Sequence, residues 1–369
     1  MHIDDAKNRK EMILLIREEY QATHQVFFLF DDCRLALGTN SAGLAEELRR
    51  YFGAFCHDGG HTAPDIEITA HEAPPPSFSR AFIPRSPDPG KRKIKEEYLD
   101  VPGGRVVRKR LTGMVFFFGG ADNTAIGPCL ANTNQVVNFI NNRFISWKLK
   151  QGCLLGHAAA VSIAGAGLGL AGFSGMGKST LALHLMSRGA TFVSNDRLLV
   201  RLIGGALSMC GVAKLPRINP GTALNNPDLM QVIPRAERED FARLAPESLW
   251  NLEHKYDVPV DACFGRDRFQ LLAAMEALLI LNWQRNGQPL VISEVDLAER
   301  PDLLPAFMKS TGLFHLAEEG EPEPLDPGPE AYADLLGNCR VFEATGGVDF
   351  DKAADACLTI LSSRQSPGR

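Results

Sequence analysis

Gly172 to Thr180 reads Gly-Phe-Ser-Gly-Met-Gly-Lys-Ser-Thr, and no other stretch restricts the fold of the chain so strongly. Gly172, Gly175 and Gly177 permit positive φ and let backbone N–H groups approach a bound anion closely. A hydrophobic run precedes the stretch; Leu181-Ala-Leu-His-Leu-Met186 follows with helical character and Gly189 as its stop. The pattern G-x-x-x-x-G-K-[ST], the Walker A phosphate loop, is met at every fixed position. Such a loop opens a helix, whose dipole and free N–H groups favour negative charge. Lys178 offers a point charge to the outer phosphates of ATP, and the Ser179 hydroxyl can ligate the accompanying Mg²⁺. The expected ATP-binding residues are therefore Gly172, Ser174, Gly175, Met176, Gly177, Lys178, Ser179 and Thr180, with Ser179 on the metal. A glycine-rich turn that binds nothing is the plainer alternative, disfavoured by the flanking strand and helix.

A chain of 369 residues exceeds one average core, so two domains are expected. The change of character near Cys153 divides them into an N-terminal α+β domain, residues 1–150, and a catalytic domain, residues 151–369. A hydrophobic content of 45% with 22% charged residues is that of a soluble globular protein, and a net charge of −5 opposes general nucleic-acid binding. No apolar run reaches the ~18 residues of a membrane span, and the polar start MHIDDAKNRKEM lacks a signal-peptide apolar region. A cytoplasmic protein without a membrane partner is expected. The eight cysteines form no Cys-x-x-Cys pair and read as small buried hydrophobes. Cys56, His57, Asp58, His61 and His71 cluster without zinc spacing, and Gly59-Gly60 makes a loop the better reading there.

In the first half, residues 8–22 read as an amphipathic helix, Val26–Phe30 and Arg34–Gly38 as a hairpin, and Ser41 as the cap of a helix reaching Phe55. Asp65–Thr69 alternates like a half-exposed strand, residues 73–90 form a Pro- and Ser-rich loop, and Tyr98–Val107 is a charged hairpin. Lys91–Lys95 and Arg105–Arg110 are basic, but a solvated face is favoured over a nucleic-acid site. Gly113–Phe118 reads as a core strand and Asn134–Leu149 as a helix. In the second half, Leu154–Ile163 and Leu168–Phe173 read as antiparallel strands, Thr191–Asn195 as another, and Arg197–Val212 as a hairpin. Residues 214–230 form a Pro/Asn-rich loop. Tyr256–Phe264, Leu278–Trp283, Pro289–Ile292 and Arg340–Ala344 are expected strands, and Phe350–Leu361 a final helix. Glu318–Glu330 is an acidic, proline-rich connection.

Phosphoryl transfer also needs a group that takes a hydroxyl proton. Asp196, closing the strand after the loop helix, is the best placed; capping a turn is its bland alternative. His157 precedes the loop by two strands and can reach the same rim, although a lone histidine on an apolar strand is usually a core residue. In order, the chain carries His157, the glycine turn Gly165–Gly169, Gly172-Phe-Ser-Gly-Met-Gly-Lys-Ser179, Arg188-Gly189 and Val193-Ser-Asn-Asp196. This ordered set resembles the catalytic core of bacterial HPr kinase/phosphorylase, in its HPr kinase-related branch. The resemblance implies an α/β fold, an HPr kinase/phosphoenolpyruvate-carboxykinase-like core. It implies Asp196 as proton acceptor, His157 as active-site histidine and Lys178 beside them in catalysis. It also implies a ring-like homo-oligomer.

The chain departs from that family at several places. Asn195 stands where the family has the first of two aspartates, and residues 210–221 (CGVAKLPRINPG) replace the segment holding its magnesium-binding glutamate. Arg266 or Arg268 would supply a later active-site arginine, and Lys214 and Arg217 are further candidates for charge stabilisation or acceptor binding. Residues 1–150 do not resemble the usual N-terminal domain. The expected function is an ATP-dependent kinase acting on the hydroxyl of a protein serine or a small alcohol. A nucleotide-binding regulatory or scaffold protein with degraded catalysis is the alternative. A motor ATPase ranks last, since Leu290–Asp296 (LVISEVD) supplies only a loose Walker B strand.

Overall fold

A computed structural model describes residues 3, 5–59, 62–87, 93–245, 248, 249, 252, 254–316 and 326–363. His61, Lys91, Arg92 and residues 318–325 of the acidic connection lie outside them. The chain is a mixed α/β protein dividing into two compact units, residues 1–147 with 311–325, and residues 148–310 with 326–369.

The first unit is built on one nine-stranded sheet. Its strands are β1 (His24–Phe30), β2 (Cys33–Thr39), β3 (Cys56–His57), β4 (Ile66–Glu72), β5 (Ile83–Pro84), β6 (Glu96–Val101), β7 (Gly104–Lys109), β8 (Val115–Phe118) and β9 (Asp122–Gly127). Their order is β3-β1-β2-β4-β9-β8-β7-β6-β5, with β4 parallel to both neighbours and the other pairs antiparallel. The helices are α1 (Arg9–Glu19), α2 (Ala42–Phe52) and α3 (Thr133–Lys150). Ser41 caps α2, its Oγ accepting the Leu44 N–H at 3.2 Å. Strand period separates the two faces of β8. Val115 and Phe117 join Met12, Ile13 and Ile16 of α1. Phe116 and Phe118 instead meet Phe139 of α3, at 4.9 and 6.3 Å, and Phe314, at 5.9 and 5.0 Å. The central strand β9 was not expected from its polar start; Thr124 is held there by Thr69 across β4, hydroxyl to hydroxyl at 2.8 Å. The basic residues of β7 face carboxylates of β6, Arg108 with Glu97 at 2.7 Å and Lys109 with Glu96, which also takes Arg85 from beyond β5.

The second unit carries β10 (Leu154–Gly156), β11 (Ala158–Ile163), β12 (Ala166–Gly172), β13 (Thr191–Ser194), β14 (Leu198–Ile203), β15 (Ala206–Cys210), β16 (Arg217–Ile218), β17 (Tyr256–Asp257), β18 (Leu272–Leu281), β19 (Leu290–Glu294) and β20 (Arg340–Gly346). Its helices are α4 (Lys178–Ser187), α5 (Pro220–Leu224), α6 (Arg235–Ala242), α7 (Val260–Phe264), α8 (Pro329–Leu336) and α9 (Phe350–Ser362). The main sheet runs β10-β14-β15-β18-β12-β11-β13, with β20 joining β18 and β19. β12 lies antiparallel to β11 and parallel to β18. Residue parity sorts the core. Ala159, Val161, Leu168 and Leu170 pack against Leu181 and Leu185 of α4 and Ala353, Cys357 and Leu361 of α9. Ala158, Ala160, Val193 and Leu198 pack on the other face, against Leu303, Leu304, Phe307 and Leu336.

Several expected elements differ. Leu154–Ile163 is not one strand: the His157 N–H leaves the ladder to donate to Phe307 O at 2.5 Å, so β10 pairs with β14 and β11 with β12. Tyr256–Phe264 is strand only over Tyr256–Asp257; Pro259, with fixed φ and no N–H, ends it and α7 follows. The loop at 214–230 contains β16 and α5, and a satellite core holds it in place. There Ile218, Ala223, Leu229, Ile233, Val258 and Val260 pack on Leu183, Met186 and Phe192. Among the described residues, no helix is long and apolar enough to cross a membrane.

Candidate functional site

The Gly172–Thr180 stretch connects the buried strand β12 to α4. Gly177 caps α4 in the left-handed region (φ 89°), and no side chain caps the helix, so its first-turn N–H groups remain for another acceptor. A side chain at this position would be strained by the backbone and would strike the Phe350 ring. The loop is braced from behind: Trp283 Nε1 donates to Met176 O at 2.9 Å, and Trp283 meets Phe350 edge-on at 5.3 Å. Lys178 is folded back under the loop, its ammonium donating to Gly172 O at 2.5 Å and Phe173 O at 3.3 Å. Burial pushes its pKa down to about 8, with Asp196 pulling upward and Lys309 downward.

In front of the loop is a cavity of about 340 Å³. Of the residues expected from the sequence, His157, Ser174, Gly175, Gly177, Lys178, Ser179, Thr180 and Asp196 line it. Gly172 and Met176 do not: their carbonyls receive Lys178 and Trp283, so they shape the loop from its rear. The Thr180 hydroxyl meets that of Thr222 at 3.1 Å, tying the first turn of α4 to α5.

Asp196 sits just beyond β13. His157 Nε2 lies 3.2 Å from its Oδ1 and Lys309 Nζ 3.4 Å from its Oδ2. The strand break described above brings these partners together. Phe307 O binds the His157 backbone, and a bridge from Gly156 to Met308 leaves Lys309 next in line. Burial raises the Asp196 pKa, but the His157 hydrogen bond and the charges of Lys309, His157 and Arg197 outweigh it and hold the carboxyl well below its usual range. The neighbouring Asn195 also lines the cavity, and its Oδ1 is buried with no hydrogen-bond partner among the described residues. An orphaned amide oxygen costs roughly 1–3 kcal/mol.

The expected arginines separate. Arg268 donates to Met186 O and Ala190 O at the far end of α4, and neither it nor Arg266 lines the cavity. Lys214 and Arg217 do line it, together with Arg197, Lys255 and Arg285. Lys309, more than a hundred residues from Asp196, carried no sequence signal; Arg197, adjacent to Asp196, did. Of the Cys56–His71 cluster, Cys56 and His57 form β3, while His71 is fully buried in β4, where burial pushes its pKa down to about 4. Among the described residues no three His, Cys, Asp or Glu side chains gather for a metal.

No protein-family model matches the sequence, and no curated protein matches it. Among solved structures, the chain is similar to the HPr(Ser) kinase/phosphatase from Coxiella burnetii at 14% identity. The alignment covers 56% of this chain and 88% of that one, with a TM-score of 0.29. A likeness of that size carries no functional weight.

Proposed function

We propose that the second unit is an ATP-dependent kinase that transfers the γ-phosphoryl group to a hydroxyl. The observation carrying this reading is that one cavity is lined by an uncapped helix N-terminus, Lys178, and an ionised Asp196 held at both carboxylate oxygens. The loop N–H groups and Lys178 would hold the triphosphate, Lys178 exchanging its carbonyl partners for phosphate oxygens. The acceptor hydroxyl gives its proton to Asp196 as its oxygen bonds to the γ-phosphorus, and the bond from that phosphorus to the bridging β–γ oxygen breaks, releasing ADP. His157 and Lys309 keep Asp196 ionised and aimed.

Mg²⁺ fits the donors present: the Ser179 hydroxyl is a hard oxygen on the cavity, and Asn195, which also lines it, has a buried Oδ1 with no hydrogen-bond partner among the described residues. Bound there, it would neutralise charge on the phosphate oxygens. An amide in place of a carboxylate at 195 favours weaker metal retention and gives the second reading, a nucleotide-binding regulatory module, its specific support. The test is γ-³²P transfer from Mg-ATP into an extract of the source cell. A labelled product made by wild type and lost in Asp196→Asn supports the kinase. ATP binding without any labelled product selects the regulatory module.

A further inference from the structure

Six cationic side chains line the cavity, Lys178, Arg197, Lys214, Arg217, Lys255 and Arg285, while Asp196 is the sole carboxylate among the described lining residues. That is more positive charge than one magnesium-balanced triphosphate requires. The cations come from separate parts of the chain: Lys178 belongs to the phosphate loop, whereas Lys214 and Arg217 follow β15, and Asp196 lines the same cavity as both.

The backbone sets the place of Lys214 and Arg217. Gly211 passes so close to β13 that a Cβ on it would lie 1.9 Å from Val193 O. Its N–H donates to Leu271 O at 2.7 Å. The following residues are thereby pressed along β13, the strand that leads to Asn195 and Asp196. Lys214 then faces the cavity half-buried, and Arg217 stands on the β16–β17 ribbon, 3.1 Å from Asp257. An uncharged alcohol arriving here would strip water from these cations and return only its weaker neutral acceptors. An anion would be held by charge-assisted bonds.

Resting on the kinase reading, we propose that the acceptor is a small anionic alcohol, a hydroxyl compound bearing a phosphate or carboxylate. Lys214 and Arg217 hold the anionic group while the hydroxyl lies against Asp196. The proton and phosphoryl movements are those given above.

The test divides an extract of the source cell into protein, low-mass compounds retained on an anion exchanger, and low-mass compounds that flow through. Each is offered to the full chain with γ-³²P-ATP and Mg²⁺. The expected label is in the retained low-mass fraction. For that acceptor, Lys214→Gln and Arg217→Gln should each raise KM roughly tenfold with kcat little changed, the size of one lost charge-assisted contact, and Arg217→Lys should recover part of it. The KM for ATP reports whether the variants keep their fold. Label in the flow-through or in protein overturns the inference and leaves the kinase intact. Unchanged acceptor KM in both variants overturns the roles of Lys214 and Arg217. No label from any fraction, with ATP still bound, overturns the kinase reading and the inference with it.

Discussion

Asp196 has two partners that differ in origin, His157 from the β10–β11 break and Lys309 from a distant loop. If it takes the acceptor proton, Asp196→Asn lowers kcat by about 10²–10⁴-fold while the ATP dissociation constant hardly moves, because an amide cannot accept that proton. Steady-state kinetics beside equilibrium ATP binding checks both halves. Lys178 makes a separate prediction. Burial holds its pKa near 8 in the free protein, so above that pH it is progressively neutral. A triphosphate favours the charged ammonium and raises this pKa. ATP binding should therefore take up protons at about pH 8.5 and weaken as pH climbs further. Calorimetry in buffers of different ionisation enthalpy measures the uptake; buffer-independent heats would show that Lys178 does not change protonation when ATP binds.

Elements fix the shape of the site through a few supports. Trp283, just past β18, donates to Met176 O and holds the rear of the loop. Trp283→Phe removes that bond while keeping most of the ring, so ATP affinity should fall several-fold, the equivalent of about 1 kcal/mol, with the thermal transition nearly unchanged. Gly211→Ala places a methyl where Val193 O already is, and the segment carrying Lys214 and Arg217 must shift. A loss of about 1–3 kcal/mol in urea unfolding is expected. The loop, α4 and β13 were legible in sequence because they are local patterns, a motif and two apolar runs. The break at His157 was not, since a hydrogen bond from its N–H to Phe307 O, 150 positions away in the chain, causes it.

For the whole molecule, the chain does not divide at one point. Residues 311–325 belong with the first unit although the second resumes after them, and Phe314 stacks on Phe118 at 5.0 Å. A fragment starting at residue 148 would carry Phe314 without its aromatic partners. Expressed alone it should aggregate, and co-expressed with residues 1–147 it should copurify, as size-exclusion chromatography would read. A soluble monomeric fragment would show that this aromatic seat is dispensable.

The sequence by itself determined a phosphate-loop motif ahead of a helix, with an aspartate at the end of the next strand, because short motifs and residue periodicity are set by neighbours in the chain. It also named Lys214 and Arg217 without saying where they go, and it offered Arg266 and Arg268 on equal terms. Only the tertiary structure decided among them. The close approach of Gly211 to Val193 carries the first pair to the cavity, while Arg268 caps the far end of α4. Lys309 reaches Asp196 for the same kind of reason. Packing and backbone hydrogen bonding bring together residues that no pattern along the chain connects.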